Sequence, residues 1–275
     1  MIVGQLNLIN ELERKVINNT LPRFIIFVGP KGSQKLEVAQ YITSILYHNK
    51  VIVDDISVDN IRNIINLAYK VSEPTVYIIP NVDKMSNAPK NALLKVTEEP
   101  PNKARFIMTL EDINNTLPTI KSRATVYNME LFKPEELADY YCRKYIGDRA
   151  VLDNSEVLQI AETPYEIDLL VKYDIFEFVS YTHKVIENIA TVSGANSFKI
   201  ADKINLKDDD SKYDLKLFWK GFMRICAKNL LQDIKYYAEA IKITSDVLSQ
   251  ININGINKQM LFDKWLLNIR SVWME

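Results

Sequence analysis

Over the first half of the chain, short apolar runs alternate with stretches in which apolar residues recur every three or four positions. Residues 24–28, from Phe24 to Val28, and residues 75–79, from Thr75 to Ile79, are runs of the first kind, closed by Gly29-Pro30 and by Pro80-Asn81. Residues 51–53, 104–109 and 124–129 repeat the pattern. A short continuous apolar run bounded by turn residues is the signature of a strand covered on both faces. Within residues 35–48, Leu36, Val38, Ala39, Ile42, Ile45 and Leu46 fall at helical spacing. Within residues 57–71, Val58, Ile61, Ile64, Ile65 and Ala68 do the same, with Ser57 placed to cap the first turn. Strands alternating with helices predict an α/β fold built on a mostly parallel, doubly wound sheet.

After Lys133 and Pro134 no alternating run stands out, and helical periodicity takes over. The spacing predicts helices over residues 134–145, 155–162, 165–172, 175–191, 198–204, 212–231, 233–250 and 258–273. The acidic run at 207–211 is read as a polar break, with Ser211 as N-cap of the helix that follows. Three parts are therefore expected: an α/β domain over residues 1–132, a small helical domain over 133–174 and an all-α domain over 175–275. Phe218, Trp219, Phe222, Tyr236, Tyr237, Phe262, Trp265 and Trp273 lie at helical spacing in the last part. Such a stripe is mostly core, although large aromatics also anchor subunit interfaces.

Between the first strand and the first predicted helix lies Gly29-Pro-Lys-Gly-Ser-Gln-Lys35. A phosphate-binding loop wraps phosphates in backbone N–H groups, reaches them with a lysine and holds Mg²⁺ with a hydroxyl. Gly29, Gly32 and Lys35 stand in register with that pattern, but Gln34 replaces its last glycine and Leu36 replaces the Ser or Thr. Leucine offers no oxygen to a hard cation. The loop leaves room for weak nucleotide or phosphate binding and predicts no metal site.

With 47% hydrophobic and 25% charged residues, the composition is that of an ordinary globular protein. A net charge of −1 argues against a free-standing nucleic-acid binder. Two cysteines, Cys142 and Cys226, are too few for a four-cysteine zinc module. His48 and His183 are isolated and are read as core or surface residues. No signal peptide, transit peptide or apolar run of membrane-spanning length is read, so a cytoplasmic location and no membrane partner are expected.

Several segments resemble, in order, the clamp-loader branch of the AAA+ family, closest to the bacterial DNA polymerase III delta-prime type. They are Ile2-Val-Gly-Gln5, Leu21-Pro-Arg-Phe24, Ile56-Ser-Val-Asp-Asn-Ile-Arg62, Lys84-Met-Ser, Asn91-Ala-Leu-Leu-Lys95, Glu98-Glu-Pro-Pro101 and Leu117-Pro-Thr-Ile-Lys-Ser-Arg123. The resemblance covers about residues 1–175. It implies an AAA+ core, a helical lid at 133–174 and an oligomerisation collar at 175–275. It also implies Thr109 at the sensor position and Arg123 as an arginine finger acting on a neighbour's nucleotide. The plainer alternatives are a strand-end threonine and a surface arginine paired with a carboxylate.

The chain departs from that family where its metal chemistry would sit. Pro80-Asn81-Val82-Asp83 stands where the acidic residues after the third strand belong, and Asp83 is read as a solvated or capping carboxylate. No arginine occurs at 164–166, the second sensor position, and no zinc insertion lies between His48 and Val51. The resemblance therefore implies a non-hydrolysing, stator-like subunit in a hetero-oligomer with clamp-loader ATPase subunits, with the sliding clamp and primer–template DNA as further candidate partners. A divergent active AAA+ ATPase and an AAA+ adaptor of a helicase or recombination machine are the alternatives.

Overall fold

The computed structural model describes residues 2–46, 48–145, 157–189, 200, 202–207, 209, 211–251 and 255–274. The chain divides into two compact units, Met1–Tyr140 with Thr163–Tyr165, and Tyr141–Glu162 with Glu166–Glu275.

In the first unit, five strands, β1 (Phe24–Val28), β2 (Asn49–Ile52), β3 (Thr75–Ile79), β4 (Ala104–Leu110) and β5 (Thr125–Asn128), form one sheet. Its order is β2-β3-β4-β1-β5 and all its pairings are parallel. Phe24 lies opposite Phe106, and Thr75 lies opposite Ala104. Because successive strand side chains point to opposite faces, each apolar run feeds two cores at once. Phe24, Ile26, Tyr77, Ile79, Phe106 and Met108 join one core with α3 (Val58–Ala68) and α4 (Asn87–Glu98). Ile25, Phe27, Val76, Ile78 and Ile107 join the other with α1 (Leu6–Ile17) and α2 (Lys35–Ile45). Covering on both faces is why these strands read as unbroken apolar runs.

The predicted strands at 24–28 and 75–79 match the observed ones, and Ser57 does cap α3, its hydroxyl accepting the Asn60 N–H at 3.4 Å. The edge strand β2 begins two residues earlier than the apolar run at 51–53, because backbone pairing to β3 starts at Asn49. Two helices were not anticipated. α1 buries only Leu8 and Leu12, and α4 carries Pro89 in its first turn, where proline is tolerated. A four-residue helix, α5 (Pro118–Lys121), precedes Arg123.

The second unit is mainly helical: α7 (Val157–Ile160), α9 (Ile175–Asn188), α10 (Leu215–Lys228), α11 (Ile234–Gln250) and α12 (Lys258–Met274). α6 (Pro134–Tyr145) and α8 (Pro164–Lys172) each begin in the first unit and end in the second. Of the helix expected over 198–204, Ile200 is helical, but its end falls in β6 (Ile204–Asn205), which pairs in parallel with β7 (Tyr213–Asp214). Two-residue strands are too short to leave a periodic signal. Residues 198–199 and 201, the start of the helix expected over 155–162, the end of that expected over 175–191, and the side chain of Trp273 lie outside the described residues.

The cap before α10 also differs from expectation. Asp214 caps it, its carboxylate accepting the Leu217 N–H at 2.9 Å, while the Ser211 hydroxyl donates to Asp209 at 2.6 Å. The aromatic stripe is core: Phe218, Trp219, Phe222, Phe262 and Trp265 are all fully buried. Trp265 is its hub, with ring centroids at 5.6 Å from Phe218, 5.0 Å from Phe222 and 5.5 Å from Phe262.

Cys226 is fully buried in this core and Cys142 is partly exposed. Burial pushes the Cys226 thiol up to about 12. Thiolate is the reactive form. A thiol reagent at pH 8 is therefore expected to label one cysteine in the native protein, Cys142, and two after denaturation. Rapid native labelling of Cys226, read by peptide mapping, would contradict this packing. Among the described residues no helix is long and apolar enough to cross a membrane.

Candidate functional site

The phosphate loop is anchored to the sheet from its first residue, since Gly29 N–H donates to Leu110 O at 3.1 Å. A Cβ on Gly29 would sit 2.7 Å from both Met129 Cβ and Ser33 Oγ, so glycine is required there by close approach. Gly32 has φ +83, and a Cβ on it would lie 2.2 Å from Tyr165 Cβ and 2.9 Å from Thr163 Oγ1. Gln34, in place of the usual glycine, holds the same left-handed conformation at φ 63. Its side-chain oxygen accepts the Val3 N–H at 2.9 Å, which ties the chain's N-terminal segment to the loop.

Lys35 is buried and turned onto its own loop. Its Nζ donates to Gly29 O at 2.7 Å, to Pro30 O at 2.8 Å and to Ser33 Oγ at 3.3 Å. An ammonium has three N–H donors, so these three acceptors use its capacity. Burial holds the Lys35 pKa below its ordinary value, while the negative charges of Glu111 and Asp83 act in the opposite direction.

Above the loop stands the segment Thr163–Tyr165. The Lys31 ammonium lies 4.1 Å from the Tyr165 ring centroid and donates to its hydroxyl at 2.8 Å. Tyr165 occupies the region where the family resemblance would put a second sensor arginine. The residues present do not fit Mg·ATP: Leu36 has no oxygen for the metal, the lysine is engaged, and the tyrosine crowds Gly32.

Thr109, on β4, is buried, and its hydroxyl accepts the Asn81 N–H at 3.1 Å. It therefore fixes the left-handed turn at Asn81 (φ 54), where the sequence lacks an acid. Asp83 is not a solvated carboxylate. Its Oδ2 accepts the Glu111 N–H at 3.4 Å, and its buried Oδ1 has no hydrogen-bond partner. The carboxylate caps no helix; its one hydrogen bond among the described residues is to the backbone just after β4. Among the described residues no group of three or more His, Cys, Asp or Glu is placed to hold a metal ion.

Arg123 lies just after α5 and is about one-third exposed. Its Nη2 pairs with Glu98 Oε1 at 3.3 Å and its Nη1 donates to Thr119 O at 3.1 Å. Gly29, Gly32, Lys35 and Thr109 thus gather at the carboxyl ends of β1 and β4, where open α/β sheets bind ligands. Arg123 belongs to a separate corner. Sequence reasoning missed Tyr165, Glu111 and Glu98, whose positions follow only from chain crossings.

A family model described as "DNA polymerase III, delta subunit" matches residues 48–133. Replication factor C subunit 3 of Schizosaccharomyces pombe is 30% identical over 149 residues, covering 50% of this chain and 43% of that protein. DNA polymerase III subunit delta' of Buchnera aphidicola subsp. Baizongia pistaciae is 22% identical over 236 residues, covering 77% of this chain and 69% of that protein. The matched part of the chain spans less than half the length of the first curated relatives. A crystal structure of a DNA polymerase III gamma subunit-related protein from Thermotoga maritima shares the fold at 17% identity and a TM-score of 0.56, covering 96% of this chain and 99% of that one. In sequence and fold, therefore, the chain is similar to the clamp-loader branch of the AAA+ family, with bacterial DNA polymerase III delta-prime subunits among its relatives.

Proposed function

We propose that the chain is a non-hydrolysing, stator-like subunit of a DNA polymerase sliding-clamp loader acting in DNA replication. Residues 1–132 form its AAA+ core, residues 133–174 a helical lid, and residues 175–275 a collar through which it assembles with ATPase subunits. It donates Arg123 to a neighbour's nucleotide. The observation that carries this reading is Lys35, whose ammonium is spent on its own loop beside a leucine that cannot bind metal. A site so arranged favours architecture over turnover, and the similarity to delta-prime subunits points the same way.

Arg123 suits the finger role because its present partners are weak ones. An exposed ion pair such as Arg123–Glu98 contributes about 0–1 kcal/mol, so the guanidinium can exchange Glu98 for a phosphate at little cost. A planar fork grips phosphate oxygens in a way that lysine's point charge does not.

The test is reconstitution with ATPase subunits of a clamp loader from the same source. Arg123→Ala and Arg123→Lys are both expected to cut DNA-stimulated turnover at the neighbouring site by ~10³-fold or more. The melting temperature of the isolated chain should move by no more than about 2–4 °C, the shift that ~1 kcal/mol produces at this size. Unchanged turnover with a large loss of melting temperature would make Arg123 a structural ion-pair residue. Steady ATP hydrolysis by the purified chain alone would overturn the stator reading.

A further inference from the structure

The amino-terminal edge of the sheet, at the far ends of the strands from the phosphate loop, carries a second concave site within the first unit. Residues just before β1 and β2 and around the start of β4 converge there: Arg23, His48, Asn102, Lys103 and Arg105 surround a cavity of about 140 Å³. Three lasting cations and a histidine face one small space, and among the described residues no carboxylate lines it.

Their present partners are neutral. Arg105 Nη1 donates to the carbonyls of Leu21 and Pro22, the second at 3.1 Å. Arg23 Nη1 donates to Asn102 Oδ1 at 3.3 Å, and Lys103 Nζ donates to Ser72 O. His48 Nδ1 is buried and has no hydrogen-bond partner. The neighbouring carboxylate, Glu73, is exposed and accepts from Asn49 Nδ2 at 2.9 Å. Burial lowers the Arg105 pKa and the Arg23 charge lowers it further; burial and the Arg105 charge do the same to His48. Like charges held together without a counter-ion raise the energy of the empty pocket, and an anion relieves it.

We propose that this cavity binds one phosphate-type oxyanion, either free phosphate or a phosphodiester of nucleic acid. The size agrees with the chemistry. At ~30 Å³ per water in the liquid, 140 Å³ admits a tetrahedral anion and a little solvent. Sites for drug-sized ligands run to about 300–1,000 Å³, so this cavity is on the scale of one small anion. Two guanidinium forks and an ammonium supply the charge-assisted donors, and the nearby His48 imidazole senses the anion's charge.

The chain has two histidines, so NMR can follow His48 with His183 as an internal control. The full chain is titrated from pH 5 to 8 in chloride, in inorganic phosphate, and with a short DNA duplex, all at equal ionic strength. A bound anion is expected to raise the His48 pKa by about 1 unit, the usual order for a close opposite charge, and to leave His183 unmoved. Arg23→Gln and Lys103→Gln should each remove most of that rise. A rise in phosphate supports the free anion as occupant. A rise with the duplex alone supports a phosphodiester. Identical His48 titrations in all three media, or a rise that survives both substitutions, would overturn the proposal.

Discussion

Trp265→Ala is expected to cost about 3–5 kcal/mol, the range for removing a fully buried large aromatic. Trp265 is 0% exposed and is packed among Phe218, Phe222 and Phe262. Its Nε1 donates to Thr244 Oγ1 at 2.9 Å, and the Thr244 hydroxyl donates in turn to Ala240 O at 2.7 Å. The indole thus joins α12 to both α10 and α11, and no neighbouring side chain can refill its volume. Trp265→Phe keeps part of the packing and loses the hydrogen bond, so its cost should be smaller. All three tryptophans of the chain lie after residue 215, so fluorescence of the remaining two reports on the second unit alone. A loss below about 1 kcal/mol in denaturant titration would mean that the site collapses without a cavity, against the packing described.

The second large effect is expected at Gly32. Gly32→Ala meets two costs: roughly 1–2 kcal/mol for placing an L residue in the left-handed region, and roughly 1–3 kcal/mol for forcing a methyl group against Tyr165 and Thr163. Gly255 is the control. Its φ of +84 is nearly the same as Gly32's +83, but among the described residues nothing lies within 4 Å of an added Cβ. Gly255→Ala should therefore show the backbone cost alone. The difference between the two variants isolates the presence of residues 163–165 over the phosphate loop. Tryptophan fluorescence follows the second unit, which holds Gly255, while circular dichroism follows both. A transition seen by dichroism and not by fluorescence therefore belongs to the first unit, which holds Gly32 and no tryptophan. Equal losses for both variants would mean that Tyr165 does not crowd the loop.

A loop whose lysine bonds its own carbonyls differs from one that has merely lost residues. A hydroxyl at position 36 would leave the Lys35 hydrogen bonds and Tyr165 as they are, and would leave Asn81 bonded to Thr109. The defect is distributed over three elements.

The sequence by itself determined the sheet. Runs such as 24–28 and 75–79 are apolar at every position because helices cover both faces, and that demand acts on each residue separately. The departures at Gln34 and Leu36 from a phosphate-loop pattern are likewise legible in the sequence, since both are local. α1 carries Leu8, Ile9, Leu12 and Val16 at helical spacing and was legible in principle. α4 buries two polar residues along with Leu93 and Val96, which blurs its period, and the two-residue strands β6 and β7 hold too few positions to carry one.

Only the tertiary structure decided what each functional side chain touches. Tyr165 reaches Gly32, Glu98 reaches Arg123, Glu111 meets Asp83, and Arg23, His48 and Arg105 share one cavity. Each pairing joins residues far apart in the chain. Periodicity records which face of an element is covered. It does not record which distant side chain does the covering, because strand order and loop crossings set that choice.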